Sequence, residues 1–419
     1  MKKIFCFILL LGLLLSLGAC GPKIGNSEVM SGSSELPDLP FGNGGEVTNQ
    51  ETLFVSDVDR IDSTIVAHGD YIYIGTLSDG LYKYNRKTGK GSSACVDPAC
   101  DGSCIVENLR RILYLSDIVN NELYFTANGY IGRDAVLVYA KINLITGEVT
   151  EILRLYLDHG DAEFDQPIVG DGYMYYLREV LKEGGNEENP EDYESYYYRI
   201  SLDGGEPERF CPQRTDEVHC VIFFAADGKL YMYRNYQFIE HDPETGEERV
   251  FLETTDFCKA RAYLDGKIYY YQKDDQATEE GTKRDTLCRV DVKTGKVEQL
   301  VDGYIYTFHV TDEGIYYTLW EERVVYDPDN SHEDPDIAYH GAALYRCDHD
   351  GSNAEIVYEN PYMYISYDYT VVDGILYGYV SEYVVDERSH GWRGRGICAF
   401  DLSTGTYTPC HTPKEENPV

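Results

Sequence analysis

One of only two tryptophans in this 419-residue chain lies in the segment His390-Gly391-Trp392-Arg393-Gly394-Arg395, a local excess of base in a chain of formal charge −37. Tryptophan and arginine dominate recognition surfaces because they bring large contact area for little lost side-chain freedom. His390, Trp392, Arg393 and Arg395 are therefore candidate ligand-binding residues, with Trp320 as a second aromatic on which a sugar ring or a peptide could stack. Trp320 also reads as a cap on the core between two sheets. Asp327, Asp329, Asn330, Asp334 and Asp336 crowd another segment, and hard oxygen ligands at this density suit Ca²⁺. The spacing D-x-D-x-D-G is not met, because His332 stands where the glycine belongs. The expectation is a solvated acidic loop and no cofactor, with calcium as the competing reading. Glu187, Glu188, Glu191, Asp192 and Glu194 read the same way.

Catalytic signatures are missing. The chain has no G-x-S-x-G elbow, H-E-x-x-H, Walker loop, G-x-G-x-x-G fingerprint or C-x-x-C-H haem site. An enzyme would need residues converging from distant segments, and His159, His219, His241, His309 and His349 are the candidates for such a site. Each also reads as a turn or core residue.

Of twelve cysteines, Cys6 and Cys20 belong to the N-terminal segment. Lys2 and Lys3 precede an apolar run, Ile4 to Leu17, which is short for a membrane span and right for a signal peptide. The run ends in Leu17-Gly18-Ala19-Cys20, which resembles the bacterial lipobox. The resemblance implies cleavage before Cys20, acylation of its thiol and amine, and an exported protein held on the outer surface of the cell membrane. Two or three acyl chains suffice for stable anchoring at roughly 0.8 kcal/mol per buried CH₂. Residues 1–19 thus read as a signal peptide. Residues 20–50, poor in large apolar side chains, read as a flexible tether, 51–411 as the folded domain and 412–419 as a disordered tail.

Ten cysteines remain, an even number that permits disulfides in an exported protein. If Leu402 faces Thr406 across Ser403-Thr404-Gly405, Cys398 falls opposite Cys410, within disulfide reach. Cys220 and Cys258 each precede the Gly of an Asp-Gly turn by eight residues, which makes them a second candidate pair on neighbouring strands.

Removing Lys2 and Lys3 leaves 34 bases against 73 acids, about −39. So acidic a surface repels nucleic acid and anionic lipid, which excludes DNA- and RNA-binding. The 39 tyrosines favour strands.

The rest of the chain repeats one unit. An apolar run leads to Gly69-Asp70, Asn121-Glu122, Asp171-Gly172, Asp227-Gly228, Asp265-Gly266, Glu313-Gly314 or Asp373-Gly374, each followed by an alternating aromatic strand. A second half of each unit closes on Thr88-Gly89, Thr146-Gly147, Asp203-Gly204, Thr245-Gly246, Thr294-Gly295, Asp350-Gly351 or Thr404-Gly405. Asp-Gly supplies positive φ to a two-residue hairpin turn, and Thr-Gly fits a three-residue loop. Seven copies recur at about 38 to 60 residues, each with four strands, A to D from the axis outwards. A lone sheet with two apolar faces cannot bury both, and radial packing of seven does. The fold read from this is all-β, a seven-bladed β-propeller of four-stranded antiparallel blades. A solenoid or a pair of β-sandwiches is the alternative.

Ala343-Leu344-Tyr345-Arg346-Cys347-Asp348-His349-Asp350-Gly351-Ser352 resembles the YWTD-type repeat of low-density-lipoprotein-receptor-related propellers, and Ser201-Leu202-Asp203-Gly204-Gly205 matches its turn. The Tyr-Trp-Thr-Asp core is absent, Ile315-Tyr316-Tyr317-Thr318 being the nearest approach, so the resemblance implies fold and not function. The chain also resembles propeller lipoproteins of unassigned role from Gram-positive anaerobes and, more loosely, TolB-like propellers. Cys95, Cys100 and Cys104 resemble a Cys-x-x-Pro-x-Cys segment of those lipoproteins, and read as disulfide or thiol and not as a zinc site.

A–B and C–D turns share one face of such a disc, and B–C and D–A connections share the other. The A–B and C–D turns are short. The insertions, 178–196, 272–286, 321–342 and 381–396, all fall between B and C, so this is the expected working face. Three functions follow: a non-enzymatic binding module for a glycan, peptide or envelope protein; a propeller hydrolase or lyase with a converged His and carboxylate site; and an envelope assembly scaffold.

Overall fold

The computed structural model describes residues 53–54, 65–75, 80–94, 111–131, 134–156, 167–182, 185, 193–214, 220–255, 258–274, 284–325, 336–340, 343–360, 363–385 and 390–410. They lie within Asn43–Val419, one of two compact units. The signal peptide, the tether with Cys20 and the tail 412–419 lie outside the described residues, as does the other unit, Met1–Gly42.

Seven antiparallel sheets follow one another along the chain. Blade 1 holds Ile65–His68, Tyr71–Gly75, Leu81–Asn85 and Lys90–Ser93; blade 2 holds Arg111–Val119, Glu122–Ile131, Asp134–Asn143 and Val149–Tyr156. Blade 3 holds Ile168–Gly170, Tyr173–Leu181, Tyr193–Ser201 and Glu208–Arg214; blade 4 holds Cys220–Ala226, Lys229–Arg234, Gln237–His241 and Glu248–Glu253. Blade 5 holds Cys258–Leu264, Lys267–Asp274, Arg284–Asp291 and Val297–Gly303; blade 6 holds Ile305–Thr311, Gly314–Val325, Ala343–Cys347 and Glu355–Glu359. Blade 7 holds Met363–Val372, Ile375–Val385, His390–Asp401 and Thr406–Pro409. Each A strand touches the next, and that of blade 7 touches that of blade 1, so the inner strands form a closed ring. The protein is an all-β, seven-bladed propeller.

Strand alternation explains the packing. In blade 5, Tyr269 and Tyr271 join the core shared with blade 6, whereas Ile268 and Tyr270 join the core shared with blade 4. All four side chains are buried, because both faces of the sheet are covered. A run that reads as continuously aromatic thus serves two interfaces by period-two alternation. Among the described residues, no strand is exchanged between first and last blades. The seam between them is packed by Ile65, Ile72, Ile74 and Tyr84 of blade 1 against Tyr377 and Ile397 of blade 7. Arg86 adds an ion pair to Asp373 at 2.9 Å.

The four Asp-Gly A–B turns behave as read: Asp265 and Gly266, for example, take φ of 51° and 71°, the two positive values that a tight hairpin turn requires. Two others fall one residue earlier than read, since Val119 faces Glu122 across Asn120-Asn121 and Thr311 faces Gly314 across Asp312-Glu313. The Thr-Gly turns differ from expectation: five are four-residue loops, with Asn85 facing Lys90 and Asp401 facing Thr406, and with Asn143, Asp242 and Asp291 placed alike. The reason is the residue that opens each loop. Asn85, Asn143, Asp242 and Asp401 each accept two backbone N–H bonds from the loop, and Asp291 accepts the N–H and hydroxyl of Thr294. The Gly N–H then donates to the carbonyl of that same opening residue. Three-residue closure survives at Asp348, whose N–H meets Ser352 across His349-Asp350-Gly351. A Cβ on Gly351 would stand 2.6 Å from the Leu300 carbonyl oxygen of blade 5, so this turn admits no larger residue without a shift.

A short strand, Leu53–Phe54, pairs antiparallel with Tyr263 and Ala262 on the inner edge of blade 5. It also touches the A strand of blade 2.

The turn carboxylates make stability pH-dependent with a definite sign. Hydrogen bonds from Thr294 hold Asp291 below its ordinary range, and those from Ser403 and Thr404 do the same for Asp401. A depressed carboxylate stabilises the fold above its unfolded pKa, roughly 4, and loses that contribution as pH falls through the folded value. The double variant Asp291→Ala/Asp401→Ala is expected to melt below wild type at pH 7, with the gap narrowing as pH falls below about 4; thermal melts across that range check it.

Candidate functional site

The described ends of the four insertions continue the blade ladders. In blade 3 pairing runs out to Leu181 opposite Tyr193, in blade 5 to Asp274 opposite Arg284 and in blade 7 to Val385 opposite His390. Blade 2 extends likewise, to Ile131 opposite Asp134. In blade 6 the B strand carries an extra partner, Asp336–His340, which pairs from Trp320 to Val325. That partner also touches the A strand of blade 7. The expected loop around Trp392 is therefore a β-ribbon, and the runs of aromatic and β-branched residues such as Tyr383-Val384-Val385 account for it. Trp392 stands opposite Tyr383 and Arg393 opposite Glu382, and Arg395 is the extra residue of a bulge closed by Gly396 at φ 77°. Trp320 lies where pairing passes from the C strand to the extra strand. The side chains of His390, Trp392, Arg393, Arg395, Trp320 and Asp336 lie outside the described residues, as do Asp327, Asp329, Asn330 and Asp334 entirely. Among the described residues no group of three or more His, Cys, Asp or Glu could hold a metal ion.

A second polar constellation gathers on the inner strands of blades 5 to 7. Arg261, 6% exposed, is the extra residue of a bulge in the blade 5 A strand, where Ala260 and Ala262 pair with consecutive residues Tyr270 and Tyr269. Its Nη1 donates to Thr307 Oγ1 of blade 6 at 2.9 Å. Thr307 pairs with Thr318 and His309 with Tyr316, so these residues share the face of blade 6 that packs on blade 7. The reach of Arg261 from blade 5 therefore passes the inner edge of blade 6, where the A strands face the axis. His309, 8% exposed, lies against the ring of Tyr369 with centroids 4.2 Å apart. Thr318 is buried, and its Oγ1 has no hydrogen-bond partner among the described residues. A fixed guanidinium, an imidazole and hydroxyls from three blades can bind an anionic or polyhydroxylated group.

Of the five candidate histidines, His159 and His219 lie outside the described residues. His349 is tied by Nε2 to the Thr311 carbonyl at 2.7 Å, and His241 by Nδ1 to Glu248; both fasten turns. Of the three described candidates, His309 alone stands on an inner strand. Arg261, Thr307 and Tyr369 went unnoticed in the sequence. The available signal was a base inside the run Cys258-Lys259-Ala260-Arg261-Ala262-Tyr263-Leu264.

Both proposed disulfides need correction. The four-residue loop sets Cys398 opposite Pro409, and the Cys410 N–H donates to the Ile397 carbonyl. Cys410 therefore shares a face with Ile397 in the seam to blade 1, while Cys398 faces blade 6, and the sheet separates the two sulfurs. Cys220 does not meet Cys258 either; it packs in the core between blades 3 and 4, with Cys211, while Cys258 packs between blades 4 and 5. Burial pushes the thiols of Cys288 and Cys347 up to about 11, as expected of core cysteines. Cys95, Cys100 and Cys104 lie outside the described residues.

No protein-family model matches this chain, and no curated protein matches it. Solved structures do. An acylaminoacyl peptidase from Pyrococcus horikoshii aligns with TM-score 0.51 at 12% identity, over 85% of this chain and 52% of the peptidase. This chain thus spans about half of that protein's length. An oligogalacturonate lyase solved with manganese aligns with TM-score 0.46 at 10% identity, over 78% of this chain and 89% of the lyase. The propeller domain of the Trilobed protease from Pyrococcus furiosus aligns with TM-score 0.38 at 14% identity, over 68% and 83%. At these identities the likeness is one of fold.

Thr307→Val removes the acceptor of the Arg261 guanidinium within a buried network and is expected to cost about 1–3 kcal/mol, measured by urea unfolding. Thr318→Val, which removes a hydroxyl without a partner among the described residues, is expected to be neutral or stabilising in the same assay.

Proposed function

We propose that this is an exported protein, anchored to the outer surface of the cell membrane through lipid on Cys20, that acts as a non-enzymatic binding module for a glycan, a peptide or an envelope protein. The observation that carries the reading is the common projection of β-ribbons from blades 2, 3, 5, 6 and 7 between strands B and C. Ribbons hold side chains more firmly than loops do, and a rigid ring beneath them pre-organises a recognition surface. The residues placed on that surface are Trp320, His390, Trp392, Arg393 and Arg395. The direction of Leu53–Phe54 supports the orientation. It runs antiparallel to the A strand of blade 5, so the chain arrives from the A–B side. The B–C ribbons stand on the face opposite that entry. Assembly of an envelope complex is the same reading with a resident protein as ligand.

A second reading is a hydrolase or lyase with its site at the axis. The convergence of Arg261, Thr307, His309 and Tyr369 favours it. The two readings separate by experiment. On glycan and peptide arrays, Asn43–Val419 is expected to capture a ligand that is lost, by at least tenfold in affinity, when residues 386–389 and the paired ends of the blade 7 ribbon are shortened. His309→Phe, which keeps a ring against Tyr369, is expected to leave that capture unchanged. Retained capture by the shortened ribbon would exclude blade 7 from the surface. A turnover lost with His309→Phe would establish the enzyme instead.

A further inference from the structure

Cys211 ends up beside a cysteine that sequence spacing assigned elsewhere. It lies on the outer strand of blade 3, opposite Tyr197, and packs against the core cluster that contains Cys220. Cys220 opens the inner strand of blade 4, opposite Arg234, and is buried. Both side chains belong to the one core cluster between blades 3 and 4, and the two strands that carry them touch. Nine positions separate them, and the intervening chain is the D–A connection, which lands on the same face of the disc as the ribbons.

We infer that Cys211 and Cys220 form a modification site: a disulfide that staples the outer strand of blade 3 to the inner strand of blade 4. The chemistry is thiol–disulfide exchange with a small-molecule or protein disulfide as oxidant. The thiolate of one cysteine attacks a sulfur of the oxidant, forming a mixed disulfide and expelling the first thiol. The second cysteine, as thiolate, attacks its neighbour's sulfur in the mixed disulfide, closing the Cys211–Cys220 bond and expelling the second thiol. The protein loses two electrons and two protons, and the oxidant is reduced to two thiols. The contact with Cys220 and burial together hold the Cys211 thiol in its protonated form, so exchange near neutral pH is slow. That suits a staple set once, as the protein folds, more than a rapidly cycling sensor. The staple shortens the freedom of the D–A connection in the unfolded chain, which is the usual source of disulfide stabilisation.

The test is peptide mapping of the full-length protein after incubation with oxidised glutathione, alkylation of remaining thiols and trypsin digestion. Trypsin cuts after Arg209, Arg214 and Lys229, so the expected product is peptide 210–214 joined to peptide 215–229 and released by dithiothreitol. The oxidised protein is expected to melt about 5 °C above its reduced form, a difference that disappears in Cys211→Ser while Cys258→Ser retains it. Recovery of Cys211 and Cys220 both alkylated after oxidation, or of Cys220 joined to Cys258, would overturn the proposal.

Discussion

Everything in this molecule depends on the burial of two apolar faces per sheet. A blade such as Lys267–Asp274 with its partners presents tyrosines alternately to either side, and neither side is stable in water alone. Burying one large side chain contributes about 1.5–3 kcal/mol, and each blade interface has several. The ring is the arrangement in which every sheet finds two neighbours and none keeps an open face. It also fixes what varies. Interfaces between blades tolerate little change, because packed interiors resist gain or loss of volume. The B–C ends lie beyond the packed cores between blades and are free to lengthen into ribbons.

The same packing carries the polar groups at the axis. Tyr316, Tyr369 and their neighbours hold His309 and Thr307 in one orientation, and the bulge re-aims Arg261 between the paired, buried Ala260 and Ala262. Bulges recur on the A strands of blades 2, 4, 5, 6 and 7. A bulge leaves one residue unpaired and re-aims its side chain, so the inner ring can display groups that strict alternation would send into an interface.

The fold was legible in the sequence because its turns are chemically marked. Asp-Gly announces positive φ, and seven copies announce a repeat. What was not legible followed from single-residue differences in register. A four-residue loop in place of three, set by Asp401 and its loop hydrogen bonds, moves the partner strand by one position and turns Cys410 to the opposite face from Cys398. The pairing of Cys211 with Cys220 was hidden for a related reason, since it joins an outer strand to an inner one. Arg261 was hidden because nothing in the residue string marks a bulge. The insertions were read in the right place, but the strand-forming residues at their described ends were counted as loop.

The absence of an exchanged strand at the seam has a consequence for how the ring assembles. Each blade is continuous in sequence, so nearly all pairing is local and can form as the chain emerges. Among the described residues, distant parts meet where Leu53–Phe54 pairs with blade 5 and at the junction of first and last blades, as in the Arg86–Asp373 contact across 287 positions. Closing so long a span costs only about 2 kcal/mol more than closing one blade-length loop, since the entropy grows with the logarithm of length. Circularisation is thus a late step that adds only modestly to the entropy already spent in forming the blades.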